Sequence, residues 1–123
     1  MAQAEAIDWV KAPSKALFED KAPLYEWFRD AEVNTCWNAV DRHVEAGRGA
    51  QTAIIYDSPV TGTVRHISYQ ELKEQVEALA GALAAKGVIK GDRVIIYMPM
   101  VPEALVAMLA CARIGAIHSI VFA

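Results

Sequence analysis

The chain has 123 residues, of which 54% are hydrophobic and 22% charged, and its formal net charge is -3 at pH 7. This length allows one modest hydrophobic core, and the high apolar fraction excludes a disordered tail. The 12 basic residues are scattered and outnumbered by 15 acidic ones, which argues against a nucleic-acid partner. We therefore expect a packed domain whose partners are small or acidic molecules.

Targeting features are the next class to consider. Residues 1–8 lack a basic region followed by an apolar stretch, so we expect no secretory signal. The most apolar stretch, residues 104–112, is far shorter than the ~20 residues of a membrane span, so no membrane contact is expected. Cys36 and Cys111 lie among apolar neighbours without metal-site spacing, and we interpret them as buried free thiols. Together these features predict a cytoplasmic protein.

The first third of the chain predicts an arm followed by a helix. Residues 1–23 show no sustained periodicity, which indicates an extended arm with a short helical turn, and the aromatic-rich residues 24–28 could anchor it. Asn34 or Thr35 can cap the helix that follows, and Gly47 ends it.

The middle of the chain predicts a hairpin and a capped helix. Residues 52–57 and 63–67 are rich in β-forming residues on either side of a Pro- and Gly-containing turn. Ser68 and Glu71 have the spacing of a capping box at the start of a helix that Gly87 ends. Its apolar face comprises Leu72, Val76, Leu79, Ala80 and Leu83.

The last third predicts a βαβ unit. Residues 93–98 form a continuous β-branched stretch typical of a parallel strand that is buried on both faces. A helix starts at Pro102 and stops at Gly115, and residues 117–122 form the next strand. The predicted fold class is α/β, with an N-terminal helical arm and the start of a mixed sheet that contains a right-handed βαβ unit.

Two blocks of sequence resemble a known family. Residues 90–122 read KGDRVIIYMPMVPEALVAMLACARIGAIHSIVF, and residues 38–44 read NAVDRHV. Both resemble AMP-forming acetyl- and propionyl-CoA synthetases, in which they belong to the start of the adenylating domain and to the preceding helical element. The resemblance implies an N-terminal arm and helical element over 1–50 and the beginning of a truncated AMP-binding domain over 51–123. The residues 98–100 look most like the propionyl-CoA branch, without deciding between acetate and propionate.

The resemblance implies a function for the full-length protein. Such enzymes activate a small carboxylic acid with ATP and magnesium to an acyl-adenylate, then transfer the acyl group to CoA. Their phosphate loop, acyl pocket and catalytic lysine would lie beyond this chain, so we expect no catalytic or metal-binding residue here, no bound cofactor and no ligase activity. Phe122 and Ala123 would be the leading edge of the CoA site. The truncated sheet edge predicts self-association.

Several polar motifs could be interpreted as functional sites, but a structural role is favoured for each of them. Residues 47–49, Gly-Arg-Gly, lack phosphate-loop spacing and indicate an ordinary loop, and residues 91–92, Gly-Asp, indicate a tight turn. Asp41, Arg42 and His43 point in different directions on a helix, which favours a surface or interdomain ion pair.

Other side chains of the βαβ unit are predicted to be structural. His118 and Ser119 lack a nucleophile motif and are predicted to be core or edge residues. The predicted core fillers are Met98, Met100 and Met108. Met100 also follows the carboxyl end of a strand, where open α/β sheets often receive ligands.

Two alternatives remain beside the enzyme fragment. The chain could be a stand-alone, non-catalytic interaction module that keeps this fold and works through exposed sheet edges. A flavodoxin-like nucleotide binder needs a glycine-rich loop after the first strand of the βαβ unit. Pro99 and Pro102 occupy that loop and lack N–H donors, so we discount this second alternative.

Overall fold

The computed structural model describes residues 4–122, which belong to two compact units, Met1–Asn34 and Thr35–Ala123. The α/β class is confirmed, because the described residues contain two regular α-helices and both parallel and antiparallel strand pairs. The described strands form four separate two-stranded sheets, so the hairpin and the parallel pair are not joined into one mixed sheet.

The first unit folds back on itself instead of forming an extended arm. A 3-10 turn at Ala4–Ala6 confirms the predicted helical turn. Strand β1 (Trp9–Lys11) then pairs antiparallel with β4 (Glu32–Val33), and β2 (Leu17–Phe18) pairs antiparallel with β3 (Glu26–Trp27). Two nested ladders therefore close the segment, and their backbone groups pair with one another instead of staying free.

Aromatic side chains hold the first unit together. The rings of Trp9 and Phe28 lie 5.5 Å apart between centroids, a separation typical of favourable aromatic pairs. Phe18 is buried, with the Lys15 ammonium 4.5 Å and the Arg29 guanidinium 4.1 Å from its ring centroid. Of residues 24–28, Phe28 thus has the predicted anchoring contact, whereas Trp27 keeps most of its surface exposed.

The second unit begins with the helical segment 35–48, as predicted. Its turns are π-helical over Trp37–Asp41 and Val44–Arg48. Gly47 has a φ of 77°, a left-handed conformation that favours glycine and ends the regular helical geometry at the predicted residue.

The hairpin and its following helix also match the prediction. Strands β5 (Thr52–Ser58) and β6 (Thr63–Ser68) pair antiparallel, and helix α1 spans Tyr69–Ala85. The capping box is complete, because Ser68 Oγ accepts from the Glu71 N–H at 3.2 Å and Glu71 Oε2 accepts from the Ser68 N–H at 2.7 Å.

The βαβ unit consists of β7 (Arg93–Tyr97), helix α2 (Pro102–Ile114) and β8 (Ile117–Val121), with the two strands parallel. One face of this strand pair packs against α2 through Ile96 and its neighbours. The other face leaves large apolar side chains exposed, namely Ile95, Tyr97, Ile117 and Val121. The expected burial of these strands on both faces is therefore met on one face only.

Two clusters of buried side chains form the core of the second unit. The first joins the helical segment 35–48, β6, α1 and α2, and consists of Cys36, Val40, Ile67, Leu72, Val76, Ala80, Val106 and Ala110. The second lies between α2 and the parallel strands and consists of Ile96, Ala107, Cys111 and Ala116. Leu79 is only partly buried and packs against both clusters, while Val76 is the fully buried residue of the predicted α1 face.

Candidate functional site

An open apolar cavity of about 310 Å³ lies where β7 and β8 end. Its walls come from the loop after β7, the first turns of α2 and the end of β8. The lining residues are Met98, Pro99, Met100, Val101, Ala104, Leu105, Met108, Ile120 and Phe122. We call this cavity the strand-end pocket. The carboxyl ends of parallel strands are the usual ligand-binding edge of an open α/β sheet.

The strand-end pocket suits an uncharged, flexible part of a ligand. Its lining contains no ionisable side chain, and three of its lining residues are methionines, whose unbranched thioethers adapt to irregular shapes. Met98 and Met108 pack against the core as predicted, but Met100 is 76% exposed and is not a core filler. The hypothesis that placed Met100 at a ligand-receiving edge fits its position better.

Phe122, which the sequence predicts at the edge of a CoA site, lines this pocket and is 70% exposed. Ala123, the second predicted residue, lies outside the described residues. Within residues 4–122, no group of three or more His, Cys, Asp or Glu side chains could hold a metal ion, and no helix is long and apolar enough to cross a membrane.

An ion cluster centred on one buried carboxylate lies between the helical segment 35–48, α1 and α2. Asp41 is only 2% exposed, and Arg113 Nη1 donates to its two carboxylate oxygens at 2.9 and 2.8 Å. Arg113 Nη2 donates to Glu77 Oε1 at 2.8 Å, and Lys73 Nζ lies 3.9 Å from Asp41 Oδ1. The cluster thus joins three helical elements through one guanidinium.

Cys36 belongs to the same cluster. Its Sγ lies 3.9 Å from Asp41 Oδ2 and accepts from Arg113 Nη1 at 3.7 Å. Burial raises the pKa of the Cys36 thiol, and burial likewise raises the pKa of Cys111. Both cysteines are fully buried free thiols, as predicted, and their burial favours the unreactive protonated form.

The prediction of a surface or interdomain ion pair at residues 41–43 is wrong for Asp41. Its carboxylate is buried and pairs with Arg113 of the same unit, 72 residues away in sequence. The three side chains do diverge, since Arg42 Nη1 donates to Asn38 Oδ1 at 3.0 Å and His43 packs on the Tyr69 ring at 4.8 Å. They cannot converge on one substrate atom.

The loop at residues 47–49 is tied to the start of α1. Arg48 Nη2 donates to His43 Nδ1, and the Arg48 guanidinium lies 5.8 Å from the Tyr69 ring centroid. The backbone carbonyl of Gly49 accepts from the Gln70 N–H at 3.0 Å. Partial burial of the imidazole, together with the positive charges of Arg48 and Arg42, lowers the pKa of His43 and favours its neutral form. These internal contacts agree with an ordinary loop.

The turn at residues 91–92 is also structural. Gly91 has a φ of 91°, and Asp92 Oδ2 accepts from the Ile89 N–H at 2.9 Å, which closes the turn before β7. Farther along, His118 is half-buried opposite Val94 in the parallel register, so its predicted place in the sheet is confirmed. Ser119 is exposed on the opposite face of the same strand.

The Asp41–Arg113 pair is the feature that the sequence interpretation missed. An α-helical periodicity places Asp41 away from the face of Cys36 and Val40, but a π-turn has a wider i to i+5 repeat and brings Cys36 and Asp41 together. One indication was available in the sequence. Arg113 is the only basic residue of α2, a helix whose remaining residues include a single acid, Glu103. An isolated cation on so apolar a helix favours a buried partner.

Comparisons with known proteins place these features in a family. The model of the "AMP-binding enzyme" family matches residues 40–123, and the model described as "Acetyl-coenzyme A synthetase N-terminus" matches residues 1–39. The first model alone covers more than half of the chain. The chain therefore belongs to the AMP-binding enzyme family, as the sequence resemblance predicted.

Individual relatives agree with this assignment. The chain is 57% identical over 119 residues to rat (Rattus norvegicus) acyl-CoA synthetase short-chain family member 3, mitochondrial, covering 97% of the chain and 17% of that protein. It is 50% identical over 118 residues to the acetyl-coenzyme A synthetase of Paraburkholderia phymatum, covering 96% of the chain and 18% of that protein. The chain thus spans less than a fifth of the length of these relatives.

A solved structure shows the same fold. Acetoacetyl-CoA synthetase from Streptomyces lividans matches 98% of the chain and 18% of that protein, with a TM-score of 0.84 at 29% sequence identity.

Proposed function

We propose that these 123 residues are the N-terminal structural portion of an ATP-dependent, AMP-forming ligase. The ligase activates a short-chain carboxylic acid as its acyl-adenylate and transfers the acyl group to CoA. The observation that carries this proposal is the 57% identity to a short-chain acyl-CoA synthetase across 97% of the chain. Identity of this extent supports the same fold and the same structural role for the segment.

The acid is acetate or propionate, and magnesium accompanies ATP in the first step. The names of the relatives support this substrate class, since they describe short-chain acyl-CoA and acetyl-coenzyme A synthetases. The cytoplasmic location stays a prediction, because one of these relatives is named as mitochondrial. The division into an arm and helical element over 1–50 and the beginning of the AMP-binding domain over 51–123 also stays a prediction.

Within the ligase, we place the strand-end pocket beside CoA. Phe122 and Ala123 would be the first residues of the CoA site. The exposure of Phe122 and the apolar lining of the pocket support this placement, because the pantetheine arm of CoA is long, flexible and uncharged.

A chimera tests the structural role. In the acetyl-coenzyme A synthetase of Paraburkholderia phymatum, the matching N-terminal segment is replaced by this chain, and ATP–pyrophosphate exchange is measured with acetate and with propionate. We expect the chimera to retain exchange, because this chain is proposed to supply scaffold and not the adenylating residues. A folded chimera without exchange would contradict the proposal. The preferred acid is a separate question, which the same exchange measurement on the full-length ligase that carries this chain would answer.

We also propose that the 123-residue chain alone has no ligase activity. The chain spans 17% of the length of the rat acyl-CoA synthetase that it resembles, and the phosphate loop and catalytic lysine implied by the family resemblance would lie in the remainder of such an enzyme. The purified chain, incubated with ATP, magnesium and either acid, should form no acyl-AMP above the level of a heat-denatured control. Formation of acyl-AMP by the chain would refute this part of the proposal.

A second candidate is a non-catalytic interaction module, and the exposed face of β7 and β8 favours it. Ile95, Tyr97, Ile117 and Val121 present an apolar surface that parallel strands normally cover. Whichever function is correct, this surface leads us to propose that the purified chain self-associates. Sedimentation at micromolar concentration should show dimers or larger species, and Tyr97→Lys should shift them towards monomer. A stable monomer that binds no apolar dye would contradict self-association.

A further inference from the structure

Helix α2 connects the two sites described above. Ala104, Leu105 and Met108 in its first turns line the strand-end pocket, and Arg113 in its last turn holds Asp41. From Leu105 to Arg113 the helix rises ~12 Å, a distance over which an α-helix behaves as a stiff rod. A displacement of one end therefore reaches the other.

Apolar packing of α2 involves both small and large side chains. Ala107, Ala110 and Cys111 are buried with Val106 and Pro102, and the larger Met108, Leu109 and Ile114 pack against the two core clusters. Such apolar contacts are non-directional. The Arg113 guanidinium adds a directional restraint, because its Nη1 donates to both oxygens of the buried Asp41 carboxylate at 2.9 and 2.8 Å while its Nη2 donates to Glu77 at 2.8 Å.

The carboxylate end of this contact is itself held in place. Asp41 lies on the helical segment 35–48, whose Cys36 and Val40 are fully buried in the first core cluster. Arg113 also bonds Glu77 of α1, so two different elements restrain the last turn of α2. Burial disfavours the charged guanidinium, but its hydrogen bonds to Asp41 and Cys36 prevail and raise the pKa of Arg113.

We propose that Arg113 is a positioning residue of the ligase. Through its bonds to Asp41, it sets the axial position of α2 and hence the shape of the strand-end pocket in which CoA is received. This inference rests on the function proposed above, including the placement of CoA at the pocket. It assigns a role in the second half-reaction to residues that touch neither CoA nor the acid.

The two half-reactions allow a selective test. In the full-length ligase, Arg113→Lys keeps the positive charge but loses the fork that reaches both Asp41 and Glu77. ATP–pyrophosphate exchange, which needs no CoA, should be unchanged. The KM for CoA in thioester formation should rise roughly three- to thirty-fold, the range expected for coupling through a packed element.

Matched variants separate positioning from general damage. Glu74→Gln removes one charge from the exposed side of α1, where Glu74 accepts from Gln70 and not from Arg113, and should leave the KM for CoA unchanged. Met100→Ala alters the pocket itself and should raise that KM. Asp41→Glu changes the same contact from the carboxylate side and should raise the KM for CoA as Arg113→Lys does. It provides a second variant if Arg113→Lys does not fold.

The outcomes are distinct. A raised KM for CoA with unchanged exchange in every positioning variant that folds supports the inference. An unchanged KM in a folded variant overturns it, and so does an equal loss in both half-reactions, which is the result expected of a purely structural contact. Absence of exchange in the unsubstituted ligase would overturn the proposed function, and this inference with it.

Discussion

Each unit of the chain contains an arginine that binds two carboxylates, and the two clusters differ in their exposure. In the first unit, Arg29 Nη1 donates to Asp20 Oδ2 and to Glu26 Oε2, both at 2.9 Å, and the three side chains are 36, 55 and 36% exposed. In the second unit, Arg113 bonds Asp41 at similar distances, but the Asp41 side chain is only 3% exposed. The bond lengths are nearly equal, yet the surroundings are not.

The difference shows that distance alone does not measure the importance of an ion pair. Water can replace either partner of an exposed pair, so breaking it changes stability little. A buried carboxylate that loses its cation has no such replacement, and the protein bears the cost of an uncompensated charge. Stability should therefore respond to Arg113 and hardly at all to Arg29.

The largest expected effect is that of Arg113→Met. This change keeps much of the apolar stem but leaves Asp41 with Lys73, 3.9 Å away, as its remaining cation in the cluster. We expect a loss of about 3 kcal/mol in the free energy of unfolding, the low end for a broken buried pair because Arg113 is itself partly exposed. Urea unfolding followed by circular dichroism measures it. A loss no greater than that of an exposed pair would show that water reaches Asp41.

Removing both charges should cost less than removing one. In the double variant Asp41→Leu, Arg113→Met, no buried charge is left unpaired, and apolar side chains fill similar space. We expect the double variant to regain about half of the stability lost by Arg113→Met, in the same urea experiment. The single variant Asp41→Leu completes the comparison. If the loss of stability in the double variant equalled the sum of the losses in the two single variants, the carboxylate and the guanidinium would not interact, and this prediction would be wrong.

The capping box lies between the two extremes. Its groups are exposed, yet Ser68 and Glu71 bond backbone N–H groups that the helix itself cannot satisfy. Ser68→Ala should cost ~1 kcal/mol in the same measurement. Ser68→Thr, which retains a capping hydroxyl, is the control and should cost less.

The capping box also has a defined pH response. Hydrogen bonds from the Ser68 backbone and hydroxyl lower the pKa of Glu71 below its ordinary value of 4.5. Its contribution to stability is therefore fully present above pH 4.5 and is lost as the pH falls through the lower, folded-state pKa. Glu71→Gln should flatten the acid limb of a plot of unfolding free energy against pH. An unchanged acid limb would show that the carboxylate is not bound to the cap.

Local chemistry made most of the second unit predictable. Ser68 and Glu71 specify the start of α1, and the stretch 93–98, with β-branched residues at 94–96, specifies a parallel strand, because each pattern has few alternative structures. Gly47 and Gly115 mark helix ends because both adopt positive φ. These features depend on neighbours in sequence, which a single sequence displays.

The remainder depends on pairing over distance. Nothing near Trp9 specifies that β1 will find β4, so the segment was predicted as an arm. The π-turns that rotate Asp41 into the core also have no local signature. The candidate site divides in the same way. Met100 was indicated by its place at a strand end and Phe122 by the family resemblance, whereas the contact of Asp41 with Arg113 spans 72 residues. Hydrophobic periodicity identifies the buried face of a helix or strand, but it does not identify the distant residues that this face contacts.

The smallest expected effect is that of Arg29→Met. At pH 7 and moderate salt, the midpoint of unfolding should not move measurably, because the cation is exposed and water solvates Asp20 and Glu26 once it is gone.

The pH dependence is a finer measure of the same contact. Hydrogen bonds from Arg29 lower the pKa of Asp20 below 3.8 and, together with Lys21, the pKa of Glu26 below 4.5. Both carboxylates thus contribute stability above those values that disappears as the pH falls through their folded-state pKa values. NMR titration of the two carboxyl groups should therefore show small rises of their pKa values in Arg29→Met, and by linkage the midpoint at pH 7 should fall by an amount too small to resolve. A clear drop in that midpoint would mean that the Arg29 contact with the Phe18 ring, 4.1 Å from its centroid, stabilises the first unit more than the ion pairs do.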